Sequence, residues 1–412
     1  MQANSFMKSF IITSLTILLL LSTNHLKAQY TWNSDTAFKA GAPNSGRLWG
    51  LAFGDYYYKA HTDTLNRGGA NQYTGIPKNR NAFQLRRVYL GYSYNISKKF
   101  SADLVLAAED NTVQTIGGTT TTSGDLLTDN KLALYVKQAN IRWKNIWPGT
   151  DLIVGQVQSP AFAYTSEPVW SYRSIERTLI DVRRTPSTDF GAELQGVFDP
   201  KTKNYGYNLM VANGTGAKPE GDNFKWFYGD VYAKFFDKKL MLDLYADYER
   251  LNWTSNWHHS RQMIKGFVAY TTPEFTLGVE GYINNLKQDD FATVAATSAV
   301  DTLDAKAKGI SVFVHGQLVK DKLRFFARYD AFNPNDNLNN SLYNSYKGNT
   351  SSYNDPSTKE QFITTGLDYT PAKNVHFMPN IWYNKYTNQG PKSLYNSYDL
   401  VYRITFYFVF GR

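Results

Sequence analysis

Apolar and polar residues alternate with a period of two along most of this 412-residue chain. In the segment 240–248, every second residue is apolar or aromatic, whereas Asp243 falls between them. The segments that begin at Ile310 and Leu323 repeat the pattern. Successive side chains of a strand point to opposite faces, so the pattern predicts strands with one apolar and one polar environment. If the apolar face meets lipid, Leu244→Arg should lower the free energy of unfolding by much more than Asp243→Ala.

The connections between these segments alternate between short turns and long polar stretches. Seven short turns are predicted near residues 95–99, 144–150, 199–203, 236–239, 271–273, 319–322 and 370–373. Eight longer stretches are predicted near residues 61–80, 111–130, 158–186, 214–223, 252–260, 285–305, 333–358 and 386–398. This alternation separates sixteen segments. Short turns at one end and long loops at the other are typical of outer-membrane β-barrels.

The predicted fold is therefore all-β: a transmembrane, antiparallel, up-and-down β-barrel of about sixteen strands. An open sheet in lipid would leave unpaired backbone groups that cost several kcal/mol each, so the sheet must close. Sixteen strands leave room for an aqueous channel, whereas the lumen of eight strands is filled by side chains. In the strand near 132–143, Lys137 and Gln138 are adjacent, so only a bulge or an early exit from the bilayer keeps both out of lipid.

The first residues of the chain have the pattern of an export signal. Lys8 precedes an apolar run that is shorter than a membrane-spanning helix, and the small residue Ala28 follows. Residues 1–28 are therefore predicted to be a signal peptide and residues 29–412 a single barrel domain. Cleavage would leave 384 of the 412 residues and, with Lys8 and Lys27 removed, a formal charge of +7 instead of +9. An exported chain meets no nucleic acid, so this excess does not indicate a nucleic-acid partner.

Composition also indicates a barrel in the outer membrane of a Gram-negative bacterium. The chain has 30 Tyr and 25 Phe, yet its mean hydropathy is −0.44. Aromatic girdles around a polar lumen produce this combination. The chain has no cysteine, which excludes disulfides and thiolate metal sites.

Several motifs resemble the phosphate-selective porin O and P family. They occur in the order Phe83 to Gly91, Leu152 to Phe162, Ser174 to Arg177 and Asp189 to Gly196. The resemblance implies a sixteen-stranded, trimeric porin whose third long loop folds into the lumen. Gln158 stands where the family commonly has a basic residue, which weakens the case for phosphate selectivity.

The best candidate for a constriction is the third long stretch, 158–186, which contains three prolines and several charged residues. Its arginines could present guanidinium groups to passing anions, and arginines on the barrel wall could extend the path. The candidate residues are Arg173, Arg177, Arg183 and Arg184 in the loop, with Arg87, Arg324 and Arg328 on the wall. In the alternative interpretation, Arg173 and Arg177 pair with Glu176 and Asp181 and pin the loop to the wall.

Charges on the inferred lumen faces are nearly balanced, which predicts only a mild preference for anions. The basic set also includes Lys234 and Arg403; the acidic set is Asp103, Glu193, Asp230, Asp243, Asp247 and Glu280. The expected partners are small anions or polar solutes, outer-membrane lipids and two further copies of the chain, with no cofactor.

Two other functions compete with a channel. The first is a surface-binding, adhesive barrel with a plugged lumen, and the second is an outer-membrane enzyme. The sequence has no G-x-S-x-G nucleophile motif. His258 and His259 are interpreted as an exposed loop pair without the acidic or cysteine ligands of a metal site.

Overall fold

The computed structural model describes residues 43–68, 71–109, 112–116, 119–123, 131–183, 185–348, 355–392 and 394–411. The predicted export signal, residues 1–28, and the candidate Arg184 lie outside these ranges. In the described part of the chain, no helix is long and apolar enough to cross a membrane.

Sixteen antiparallel strands pair with their chain neighbours and close into one barrel. They are β1 Ser45–His61, β2 Asn81–Asn95, β3 Phe100–Glu109, β4 Tyr135–Trp147, β5 Thr150–Gln158, β6 Thr188–Val197, β7 Tyr205–Ala212, β8 Trp226–Phe235, β9 Leu240–Trp253, β10 His258–Thr271, β11 Phe275–Val294, β12 Val300–Val319, β13 Leu323–Asn333, β14 Thr358–Ala372, β15 Val375–Asn388 and β16 Ser397–Phe410. The last strand pairs with the first over a register that begins at Gly50 and Phe410. This confirms the predicted fold class and strand number.

The connections follow the predicted alternation, with two corrections. All seven short turns lie at one end of the barrel. The stretches 252–260 and 285–305, predicted as long loops, are instead mostly strand, because β9 and β10 are separated by 254–257 and β11 and β12 by 295–299. Backbone pairing does not require apolar side chains, so these hairpins continue into polar sequence. A further short strand, Tyr343–Gly348, pairs with the extension of β11.

The two faces of the strands have the predicted environments. On β9, Leu242 and Leu244 are 40% and 63% exposed, whereas Asp243 between them is 2% exposed. On β16, Ile404 and Phe408 point outward and Arg403 is buried inside. An apolar outer surface around a polar interior is the arrangement that a lipid bilayer requires, and with this fold it places the barrel in an outer membrane.

Among the β-bulges and other register shifts of the barrel, two change which side chains point inward near the candidate site. Opposite β2, β1 pairs Phe53 with Arg87 and Gly54 with Leu85, so Arg86 is the extra residue and both arginines point inward. Opposite β4, β3 pairs Val105 with Gln138 and Leu106 with Val136, so Lys137 is the extra residue. This bulge is one of the two solutions predicted for Lys137 and Gln138, and it keeps the buried ammonium group inside the barrel.

A large apolar cluster lies inside the barrel, between the third long loop and the wall. Phe162, Leu179 and Ile180 of the loop are at most 1% exposed. They pack in one cluster with inward side chains of the wall that include Met210 and Tyr245. Burial of this area holds the loop in the lumen.

Candidate solute pathway in the lumen

The loop between β5 and β6, residues 159–187, folds inward as predicted. It contains two single helical turns, α1 Ser166–Trp170 and α2 Leu179–Val182. Ser171 ends α1 in the left-handed conformation, with φ of 58°, and its N–H bonds the Glu167 carbonyl.

Aromatic packing fixes the middle of the loop to β12 and β13. The Trp170 side chain is 1% exposed, and its ring centroid lies 5.2 Å from that of Phe313 on β12. Phe326 on β13 approaches both Trp170 and Tyr172 edge-on or tilted. Tertiary packing of this kind makes the position of the loop specific.

Polar contacts fix the next part of the loop to β15, β16 and β2. Arg86 on β2 donates to the Ser174 carbonyl at 2.8 Å, and Arg403 on β16 donates to the Ile175 carbonyl at 3.1 Å. The Trp382 indole N–H donates to Glu176 at 2.9 Å. Burial favours the neutral acid, but the positive charges of Arg177 and Arg86 outweigh it and lower the pKa of the Glu176 carboxyl.

A buried ion pair anchors the start of the loop. Lys265 on β10 lies 2.6 Å from Asp243 on β9, and both side chains are fully buried. The same ammonium group donates to the Ala161 carbonyl at 2.6 Å, and the Thr165 hydroxyl donates to Asp243. Asp243, which was predicted to line the lumen, is therefore covered by the loop.

The first long loop also enters the lumen, which the sequence analysis did not predict. Tyr73 is fully buried, donates to Asp55 of β1 at 2.7 Å and packs edge-on against Trp382. Gln72 donates to Glu176 at 2.8 Å, joining the two loops. The signal was present, since Tyr73 and Ile76 are large apolar or aromatic residues in a mostly polar stretch.

The described loop arginines all contact carboxylates. Arg173 bonds Glu167 and lies 2.5 Å from Asp181. Arg183 lies 3.0 Å from Glu360 on β14, and Arg177 lies 3.9 Å from Glu176. The pairings proposed in the alternative interpretation are thus present. Among the three, Arg177 has the most accessible side chain, at 20%, against 11% for Arg173 and 6% for Arg183.

The wall arginines fall into two groups. Arg328 lies 2.6 Å from Asp330. It also donates to the Arg177 carbonyl at 2.5 Å, so two of the predicted site arginines, Arg177 and Arg328, lie next to each other. Arg324 contacts His315 at 3.2 Å on the same side. Arg87 lies on β2, several strands away from Arg324 and Arg328 on β13. Its guanidinium is 4.0 Å from Glu109.

A cavity of about 110 Å³ lies between the loop and β1 to β5. Lys137, Arg173 and Glu167 contribute charged groups to its lining, and Tyr89 and Phe162 contribute rings. Lys137 also pairs with Glu109 at 2.7 Å. Positive and negative side chains therefore lie close together where the loop approaches these strands. The Arg173 guanidinium remains paired with Glu167, and the Lys137 ammonium remains paired with Glu109.

The interpretation of the histidine pair as exposed loop residues holds only for the exposure of His258. Both residues begin β10, and His259 is fully buried, 2.7 Å from Asp289, because the hairpin continues past the predicted strand end. Among the described residues, no three histidines, aspartates or glutamates are grouped so that they could hold a metal ion.

By sequence, the chain matches no protein-family model and no curated protein. By structure, it is similar to outer-membrane channels. The outer membrane channel DcaP of Acinetobacter baumannii superposes with a TM-score of 0.60 at 13% identity, over 90% of this chain and 99% of that one. OmpF of Salmonella typhi, in complex with daunomycin, gives 0.54 at 11%, over 89% and 98%. The anion-selective porin from Comamonas acidovorans gives 0.53 at 11%, over 89% and 100%. The chain therefore has the porin fold.

Proposed function

We propose that this barrel is a porin for passive diffusion of small polar solutes through the outer membrane, with a mild preference for anions. The observation that carries the proposal is the inward fold of residues 159–187 within a sixteen-stranded barrel. A loop fixed to several walls narrows an aqueous lumen and brings solutes close to charged side chains. The proposal assigns the chain no catalytic activity and no cofactor.

The preference for anions is proposed from the arginines, above all the accessible side chain of Arg177. Phosphate is the candidate solute suggested by the resemblance to the phosphate-selective porin O and P family. The carboxylates that pair with Arg173 and Arg183 reduce the field available to anions, which keeps the expected preference small.

The test is single-channel recording in planar bilayers with chloride, phosphate and a neutral sugar. We expect stepwise conductance, with a modest permeability excess for anions over potassium. Replacing residues 168–181 by a short Gly/Ser linker should raise the conductance, because the aqueous path widens. Equal conductance in an assembled loop variant would exclude the loop as the constriction.

A plugged, surface-binding barrel is the second candidate. Contacts of the loop with β9, β10, β12, β13, β15 and β16, together with the inward first loop, favour it. An intact barrel that never conducts, while the loop variant does, would support this function over diffusion.

Export and assembly complete the proposal. Residues 1–28 are proposed to be removed as a signal peptide, leaving the barrel domain 29–412, and the mature chain is proposed to form a homotrimer. N-terminal sequencing and the mass of the detergent-solubilised complex test these two statements.

A further inference from the structure

Basic residues follow the apolar part of the outward rows of several strands, on the side of the long loops. They are Arg250 on β9, Lys287 on β11, Lys306 and Lys308 on β12, Lys359 on β14 and Lys385 on β15. We call these six residues the basic belt. The neighbours of these positions along the strands, such as Glu249, Ala307 and Glu360, are buried inside the barrel, so alternation directs the belt outward.

The strand register brings the belt together at the edge of the apolar surface. Arg250 and Lys287 both pair with Ser260 of β10, from its two sides. Lys308 pairs with Ile283, an outward residue that is 46% exposed. Directly paired residues share a face, so the outer surface changes here from aliphatic to basic.

Aromatic side chains accompany the belt. The Arg250 guanidinium lies 4.4 Å from the centroid of the Trp253 ring and donates to the Tyr248 hydroxyl. Tyr and Trp rings are enriched at the level of lipid headgroups. These rings place the Arg250 part of the belt where headgroups meet the barrel.

The belt keeps an excess of positive charge and occupies one arc. Asp336 lies 2.6 Å from Lys308, and Asp304 lies on the same outward row as Lys306, which leaves the six cations in the majority. The outward rows of β2, β6 and β8 carry Phe83, Phe190 and Phe227 near the same end, each more than half exposed.

We propose that the basic belt binds phosphate groups of lipids in the outer leaflet around β9 to β15. The long loops mark the external end of the barrel, and clustered Lys and Arg side chains at a membrane surface attract anionic headgroups. The charge of the belt and its place above the apolar band are complementary to a lipid whose phosphates lie at the membrane surface.

The test titrates the full-length, detergent-solubilised barrel with bisphosphorylated lipid A and counts bound lipid by native mass spectrometry. The belt variant carries Lys287→Gln, Lys306→Gln and Lys359→Gln. The matched control carries Lys201→Gln, Lys238→Gln and Lys320→Gln, three exposed lysines of the short turns. We expect the belt variant to bind about tenfold more weakly or worse, and the control to bind like the wild type.

The heat-dependent electrophoretic mobility of both variants verifies that the barrels are folded. Loss of wild-type binding when the lipid is dephosphorylated would support the proposal. Equal binding by belt variant and wild type would overturn it, as would equal loss in both triple variants. Displacement of the lipid by millimolar inorganic phosphate would also overturn it, because the belt would then be a site for the free ion.

Discussion

Leu244 and Asp243 are neighbours on β9 but lie in opposite environments. Leu244 is exposed on the outer surface, so Leu244→Arg places a cation in lipid and should cost about 2–4 kcal/mol of unfolding free energy near the midplane. Leu318→Arg, at the turn end of β12, is the matched control and should cost about 1 kcal/mol or less. Urea unfolding in lipid vesicles measures both. Equal costs would contradict an outward lipid face for β9.

Asp243→Ala is not the mild change that alternation alone suggested. The carboxylate is the partner of the buried Lys265 ammonium, and removing one member of a buried pair typically costs about 3–5 kcal/mol. Asp243→Ala should therefore be as costly as Leu244→Arg.

Adding Lys265→Met should recover much of the loss, because the double variant leaves no unpaired charge. Urea unfolding of the single and double variants gives the comparison. If the double variant were less stable than Asp243→Ala, the ion pair would not be the cause.

At the scale of the element, the loop 159–187 should determine ion selectivity. Arg173 and Arg177 belong to the loop that crosses the lumen, and charges more than about 8–10 Å from a passing ion are screened at ordinary salt. Arg173→Glu with Arg177→Glu should move the reversal potential under a salt gradient toward cations.

Arg324→Gln on the wall is the control and should have the smaller effect. Arg324 contacts the loop through the Tyr172 side chain, whereas Arg328 donates to the loop backbone at the Arg177 carbonyl. A shift with Arg324→Gln and none with the loop variant would place selectivity in the wall.

At the scale of the whole molecule, closure by β1 and β16 is the condition for insertion. Deleting residues 401–411 removes most of the register between these strands and exposes two strand edges to lipid, at several kcal/mol for each unpaired backbone group. We expect the truncated chain to lose heat-dependent electrophoretic mobility and β-type circular dichroism in detergent. A truncated chain that still inserted and kept both signals would contradict the closed sheet.

The sequence by itself determined the strands, their two faces and the end at which the long loops lie. These are local properties: the period of two along 240–248 appears without knowledge of any partner strand. The position of the third loop was also predictable in outline, from its length and prolines and from the family resemblance.

Only the tertiary structure decided which groups the loops meet. Arg403 reaches the Ile175 carbonyl and Arg183 reaches Glu360 because barrel closure brings together residues that are far apart in sequence. The bulge at Arg86 and the strand extension at His259 depend on pairing with a neighbouring strand, which no local pattern encodes. Most of the arginines chosen as an anion path proved to be paired for the same reason: a charge buried among folded loops must find a partner, and the fold determines which partner lies within reach.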